Sequence, residues 1–165
     1  MLKHPRFLGW LCALAFLIAS QPARAATGTA VDAETDDRAV KHWLETYSAC
    51  MNKSDIAAFG RLWAEDADWA PPDAPMVSGR TAILAFVRAT FEKYALSHSY
   101  SAQAFRLVDG FGVAIVAASE RYTPKDGSAA AWEQHVKGVI LLQRSEDGSW
   151  TATLFIWNRD ARPAP

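Results

Sequence analysis

Four side chains in the middle of the sequence could take a proton from a bound molecule. They are two carboxylates and two imidazoles, Asp68, Glu120, His98 and His135. Carboxylates and neutral imidazoles act as general bases when they reach a substrate inside a pocket. None of the four has a spacing that specifies a reaction by itself. The elements that carry them must therefore decide which of them could face a pocket.

Tryptophan residues indicate an apolar pocket more strongly than any acid–base pair does. The sequence contains 7 tryptophans in 165 residues, and all but one follow residue 25. A buried indole needs broad flat space and a partner for its N–H group, and indoles that line a cavity stack on ring-shaped ligands. We expect Trp43, Trp63 and Trp150 to pack in the core, and the remaining three to line a pocket.

Metal, cofactor and thiol chemistry find no support in the sequence. The three histidines after residue 25 lie far apart and lack the short spacing of metal ligands. Cys50 lies in a helical stretch, where its expected role is that of a small buried hydrophobic side chain. Neither a phosphate-binding glycine loop nor a nucleophile elbow is present. We therefore predict no metal and no cofactor.

Hydrophobic periodicity predicts three helices in the first half of the chain. Apolar residues recur every three or four positions over residues 40–51, which predicts the first helix. Ser54 or Asp55 can cap a short second helix. This second helix would carry Ile56, Phe59, Leu62 and Trp63. A third helix is predicted from residues 78–81 to about Leu96.

The hydrophobic period changes to two after residue 96. A short strand over residues 67–70 and a rigid proline turn over 71–75 precede the third helix. Aspartate–glycine turns then join four longer strands. These strands cover residues 97–108, 113–123, 131–143 and 150–157. Helices followed by strands predict an α+β fold, with the helices packed on a curved, mostly antiparallel sheet.

Strand alternation assigns faces to the possible bases. Asp68 and Trp69 are adjacent, so only one of them points inward, and we expect it to be Trp69. Glu120 shares its face with small residues and could orient a ligand, or it could form an exposed ion pair with Arg121 or Lys137. His135 lies among charged neighbours, and we expect it to face solvent.

Residues 1–25 are typical of a secretory signal peptide. Two basic residues precede an apolar stretch, and Ala23-Arg24-Ala25 provides a cleavage pattern. We expect a polar leader over 26–37, one domain over 38–160, and a tail over 161–165. Cleavage would leave 14 basic against 18 acidic residues, which disfavours nucleic acid as a partner. The expected location is secreted or periplasmic, with no membrane segment after cleavage.

Several short motifs occur in an order that resembles the NTF2-like superfamily, and in particular its SnoaL-like and DUF4440 branch. The resemblance covers most of residues 38–160. Its motifs are Tyr47, the break Asn52-Lys53-Ser54-Asp55, the run Trp63-Ala-Glu-Asp66-Ala-Asp68-Trp69, the proline turn, the helix start Gly79-Arg80-Thr-Ala-Ile83, and the closing Asp147-Gly-Ser-Trp150 and Ile156-Trp157-Asn158. The resemblance implies a cone-shaped fold with a deep internal pocket, and often a homodimer formed through the sheet.

The family hosts several unrelated activities, so the resemblance does not imply a reaction. Tyr47 matches the helix-one tyrosine with which steroid isomerases stabilise an oxyanion. The isomerase base and the strand aspartate fall on Pro71 and Ile140, neither of which can transfer a proton. Isomerase chemistry by that mechanism is therefore disfavoured.

Three functions remain open from the sequence. The first is an exported protein that binds a small apolar or aromatic molecule. The second is a metal-independent lyase, isomerase or hydrolase for an apolar ring-containing substrate, with Tyr47 as hydrogen-bond donor and Asp68 or His98 as base. The third is a dimeric association module without catalysis. The predicted ligand-binding residues are Tyr47, Trp69, Met76, Glu120, Trp132 and Trp157.

Overall fold

A computed structural model describes residues 30–108 and 110–160. The predicted signal peptide, the leader before residue 30, Asp109 and the predicted tail over 161–165 lie outside these described residues. The helices are α1 (Ala30–Lys53), α2 (Ile56–Gly60) and α3 (Arg80–Lys93). The strands are β1 (Trp63–Ala70), β2 (Val77–Ser78), β3 (Tyr94–Val108), β4 (Phe111–Pro124), β5 (Trp132–Arg144) and β6 (Trp150–Arg159).

The six strands form one mixed sheet in the order β2-β1-β6-β5-β4-β3. Strands β3 to β6 are consecutive antiparallel neighbours, and β1 pairs with β6 in parallel. Helix α1 packs on β3, and α3 packs on β1. The predicted α+β class with a mostly antiparallel sheet is therefore confirmed.

The predicted ends of the second and third helices were wrong because strand pairing overrides helical periodicity. Helix α2 ends at Gly60, and Trp63 begins β1, where it pairs with Ala152 of β6. Helix α3 ends at Lys93 rather than near Leu96, because residues 94–96 pair with the end of β4. Helix α1 begins at Ala30, so the described part of the predicted leader is helical.

Large apolar side chains from all three helices and the sheet form one core. The tryptophans predicted to pack there, Trp43, Trp63 and Trp150, are buried in it. Cys50 is also buried, as expected for a structural cysteine. On α1 the buried face continues to Tyr47 and Met51, which reach the end of the core where a cavity opens.

Candidate functional site

A cavity of about 590 Å³ lies between the helices and the concave face of the sheet. Helix α1 contributes Tyr47 and Met51, α3 contributes Phe86, Val87 and Thr90, and the proline turn covers one side. Aromatic rings dominate the wall. They are Tyr47, Trp69, Phe86, Tyr94, Tyr100, Tyr122, Trp132 and Trp157. Such a wall suits a ligand that is apolar and flat.

Charged residues are found at both ends of this cavity, but only one of them is buried. Glu133, His135, Arg159 and Asp160 are exposed at the rim of the cavity mouth, where Glu133 and His135 belong to the convex side of β5. Glu120 lines the cavity and is 6 % exposed. Its carboxylate is therefore the strongest polar feature that a bound molecule would meet.

Three neighbours hold the Glu120 carboxylate in place. The Tyr122 hydroxyl donates to Oε2 at 2.8 Å, and Nε2 of Gln134 donates to the same oxygen at 2.6 Å. Oε1 lies 3.2 Å from Nε2 of His98, although that nitrogen has no aligned hydrogen bond among the described residues. Burial acts to raise the pKa of Glu120, but His98, Gln134 and Tyr122 together outweigh it and lower that pKa.

The strand register explains how these groups meet. His98 of β3 lies directly opposite Glu120 of β4, which lies directly opposite Gln134 of β5. Three neighbouring strands thus present one polar row on the concave face. Directly opposed side chains on one face of a sheet lie close enough for contact.

Helix α1 fixes His98 from behind. Asn52 accepts a hydrogen bond from the His98 N–H at 2.6 Å and donates one to the His98 carbonyl at 2.9 Å. Ser48 Oγ lies 3.4 Å from Nδ1 of the same imidazole and accepts from the Tyr100 N–H at 3.2 Å. Ser48 and Asn52 share one face of α1 because they are four residues apart.

Two phenols flank this polar row. The ring centroids of Tyr47 and Tyr100 are 5.1 Å apart, and Tyr47 lies 5.5 Å from the ring of His98. Burial, followed by the negative charge of Glu120, raises the pKa of Tyr47 well above its usual range. Burial has the same effect on Tyr100. Both phenols stay neutral and are hydrogen-bond donors at physiological pH.

The structure brings most of the predicted ligand-binding residues to the cavity and leaves one outside. Those that line it are Tyr47, Trp69, Glu120, Trp132 and Trp157. Met76 is 59 % exposed and is not among the lining residues, because it follows the proline turn on its outer side.

The four possible bases are separated by the fold. Asp68 is half-buried on β1 and does not line the cavity, whereas its neighbour Trp69 does. His98 is buried behind Glu120 and reaches the cavity only through it. His135 is exposed at the mouth, near Ser119 Oγ at 3.1 Å. Glu120 is thus the possible base that faces the interior of the cavity.

Of the two alternatives that the sequence leaves open for Glu120, the exposed ion pair is contradicted. Glu120 pairs with neither Arg121 nor Lys137, which form ion pairs at 2.7 Å with Glu133 and Asp160 on the convex side. The buried indole N–H groups also lack the expected acceptors among the described residues. These indoles belong to Trp43, Trp63, Trp69, Trp150 and Trp157.

Sequence reasoning missed several residues that build the site. Ser48 and Asn52 could have been found as two polar residues one turn apart on α1, beside the buried face. Tyr100, Tyr122 and Gln134 could have been found by counting two residues along a strand from a chosen site residue. The site is therefore more polar at its buried end than the tryptophan content suggests.

Among the described residues, no group of three or more histidine, cysteine, aspartate or glutamate side chains could hold a metal ion. No helix within residues 30–108 and 110–160 is long and apolar enough to cross a bilayer.

Comparison with known proteins gives a family match and several structural neighbours. The family model described as the SnoaL-like domain matches residues 44–153. None of the curated proteins matches this chain. A ketosteroid isomerase-like protein from Erwinia carotovora atroseptica is 17 % identical, with a TM-score of 0.68 over 76 % of this chain and 96 % of that one.

Two further solved structures are similar over most of their length. A candidate scytalone dehydratase from Novosphingobium aromaticivorans is 12 % identical, with a TM-score of 0.73 over 78 % of this chain and 87 % of that one. An NTF2-like superfamily protein from Salmonella enterica serovar Typhimurium is 11 % identical, with a TM-score of 0.69 over 80 % and 96 %. At these identities the likeness shows a shared NTF2-like fold, as the sequence motifs predict.

Proposed function

This chain belongs to the SnoaL-like domain family, and on that premise we propose that it is an exported protein whose cavity binds a small, apolar, ring-containing molecule. The family sets the fold, whereas the lining of the cavity sets the chemistry of its ligand. Binding is the simplest function for this site, because it needs only the cavity and its aromatic wall.

One observation carries this proposal, namely aromatic rings that line the cavity while part of their surface stays uncovered by protein. Phe86 and Trp132 are each 39 % exposed. The Phe86 ring packs edge-on against Trp69 at 5.4 Å, and Trp132 stacks on Tyr122 at 5.0 Å with an interplanar angle of 7°. Exposed rings gathered around a concave surface are typical of ligand sites.

Binding of a neutral aromatic dye tests the proposal directly. N-phenylnaphthylamine should bind the wild-type protein with a rise in dye fluorescence, and Trp157→Leu should weaken its affinity by about tenfold through lost stacking area. Trp150→Leu is the matched control, because Trp150 lies on the same strand but packs in the core against Phe105. Equal dye affinity in both variants would contradict the placement of the site.

Proton transfer is a second candidate function, supported by the buried carboxylate that faces the cavity between two neutral phenols. Glu120 could remove a proton next to a ring carbonyl, and Tyr47 could donate to the oxygen on which charge develops. In this version Glu120 replaces Asp68 as the base, and His98 orients it. The named structural neighbours include an isomerase-like protein and a candidate dehydratase, which is compatible with such chemistry.

Exchange of ring-ketone protons in D₂O distinguishes binding from proton transfer. The enzyme hypothesis expects the protein to accelerate deuterium incorporation next to the carbonyl of tetralone, followed by NMR. Glu120→Gln should abolish that acceleration, whereas Asp68→Asn should keep it because Asp68 lies outside the cavity lining. Acceleration that survives Glu120→Gln would exclude Glu120 as the base.

Export is the part of the proposal that rests on the first 25 residues alone. The expected mature chain begins at Ala26. Intact mass of protein collected from the periplasm or the medium tests this start site. Full-length protein retained in the cytoplasm would contradict it.

A further inference from the structure

We infer that the cavity selects ring compounds that donate a hydrogen bond to Glu120, and that it rejects ring compounds carrying a carboxylate. This inference rests on the proposed function and adds the polar group of the ligand. Either a hydroxyl or an amine can be the donor, since both present a hydrogen to a carboxylate oxygen.

The Glu120 carboxylate has lone pairs that no protein group uses fully among the described residues. An ionised carboxylate offers about four lone-pair sites. Oε2 accepts two hydrogen bonds, from Tyr122 and Gln134. Among the described residues, Oε1 has only the poorly aligned contact with His98 at 3.2 Å. A buried acceptor with unused lone pairs gains free energy when a ligand donor reaches it.

The buried end of the cavity carries the negative charge of Glu120. Glu120 is 6 % exposed, and the lowered pKa of its carboxyl keeps it ionised at neutral pH. A carboxylate brought close to it would meet like charge in a medium of low dielectric constant. Hydroxyls and ammonium groups meet an acceptor there instead.

Only a nearby cation could offset the repulsion between Glu120 and a ligand carboxylate. Among the described lining residues, Arg159 carries the permanent positive charge. It is exposed at the mouth, where its Nη1 lies 2.7 Å from the Asp73 carboxylate. His98 is the nearest basic side chain to the buried end, and it already contacts Glu120. A ligand anion therefore has no arginine or lysine partner at that end among the described residues.

Four naphthalene derivatives of similar size separate these effects. They differ only in the substituent, and they are naphthol, methylnaphthalene, naphthylmethylammonium and naphthoate. Calorimetric titration of the wild-type protein should give a dissociation constant at least tenfold lower for naphthol than for methylnaphthalene, the size expected of a hydrogen bond to a charged acceptor. Naphthylmethylammonium should bind at least as well as methylnaphthalene, and naphthoate should bind worst.

Glu120→Gln should remove this selectivity while the ring site remains. Its affinity for naphthol should fall about tenfold, its affinity for naphthoate should rise, and its affinity for methylnaphthalene should stay within about twofold. Asp68→Asn removes a carboxylate just outside the cavity and should leave all four affinities unchanged. Circular dichroism establishes that each variant is folded, and the wild-type series alone tests the inference if Glu120→Gln does not fold.

The outcomes distinguish this inference from the proposed function. Similar affinities for all four compounds would overturn the selectivity while leaving the apolar site intact. Preferential binding of naphthoate would overturn the inference outright. If no compound binds, the proposed function fails and the inference fails with it.

Discussion

Glu120 gives the cavity its chemical character at the scale of single residues. Together with His98 it is one of two buried polar or charged residues among the described part of the chain. Burying a carboxylate is costly unless hydrogen bonds and a nearby positive group compensate it. The bonds from Tyr122 and Gln134 and the contact with the His98 imidazole at 3.2 Å provide that compensation.

This arrangement predicts how stability depends on pH. The pKa of Glu120 is lower in the folded protein than its ordinary value of 4.5, so the folded state favours the ionised carboxylate. The resulting stabilisation is fully present above the unfolded pKa and is lost as the pH falls through the folded pKa. Urea unfolding from pH 6 down to pH 3 should show a steeper loss of free energy for wild type than for Glu120→Gln. Parallel curves would contradict the role given to the carboxylate.

Asn52 supplies a second prediction at this scale, because its one amide serves both backbone groups of His98. Asn52→Ala would leave an N–H and a carbonyl without their partners, at a cost of about 2 kcal/mol in the free energy of unfolding. Urea denaturation measures this loss. Gln103→Ala removes an exposed amide from β3, the strand that carries His98, and it should change the free energy of unfolding by less than about 0.5 kcal/mol. Equal effects would show that the Asn52 bonds are not stabilising.

At the scale of elements, faces could be predicted from the sequence but partners could not. Alternation placed Glu120 on the concave face and Trp69 in the wall. The contact between His98 and Glu120 depends instead on a register shift in β3, between Ala102 and Ala104. Without that bulge, counting back from the turn would place His98 opposite Arg121. A bulge depends on how two strands twist together, and no local pattern of residues specifies it.

Long-range structure also accounts for the wrong helix ends and for the one predicted ligand-binding residue that lies outside the cavity. Tyr94 and Trp63 continue a helical spacing in the sequence, but both begin strands because a neighbouring strand satisfies their backbone groups. The sequence predicts Met76 as a ligand-binding residue, but Met76 lies outside the cavity because the tertiary path of the proline turn decides the side to which it leads. Local propensity is a weak guide wherever such long-range pairing is available.

Close approach of strands β5 and β6 beneath the cavity gives a prediction for Gly138. A Cβ at this position would lie 2.6 Å from the Ile156 carbonyl oxygen and 2.8 Å from Cβ of Trp157. Backbone cannot move aside cheaply, so we expect Gly138→Ala to lower the free energy of unfolding by about 2 kcal/mol. It should also weaken dye binding, since the strand that carries Trp157 must shift.

Gly127→Ala is the control for this effect. No described residue lies within 4 Å of a Cβ at Gly127, but its φ of +67° is strained for alanine. That strain alone should cost about 1 kcal/mol, and dye affinity should not change. A larger loss at Gly127 than at Gly138 would contradict the steric argument.

At the scale of the whole molecule, the convex face of the sheet is apolar where a second copy could pack. Ile115, Val139 and Ile156 lie opposite one another on β4, β5 and β6, and they are 48 %, 39 % and 50 % exposed. Phe111 extends this apolar row along β4 and is 51 % exposed. The same face carries two ion pairs, between Arg121 and Glu133 and between Lys137 and Asp160. Because both positive and negative side chains are present, a copy related by a two-fold axis can meet complementary charge.

We therefore predict a homodimer through this face, and Val139 at the centre of the row is the place to test it. Val139→Lys would bury an unpaired charge in the interface, so light scattering after size exclusion should show a dimer for wild type and a monomer for the variant. Ala85→Lys adds the same charge to the exposed surface of α3 and should remain dimeric. A monomeric wild-type protein at micromolar concentration would refute the prediction. Because the cavity lies on the concave side, the Val139→Lys monomer should bind the dye as wild type does, whereas loss of binding with dissociation would mean that the site needs the partner.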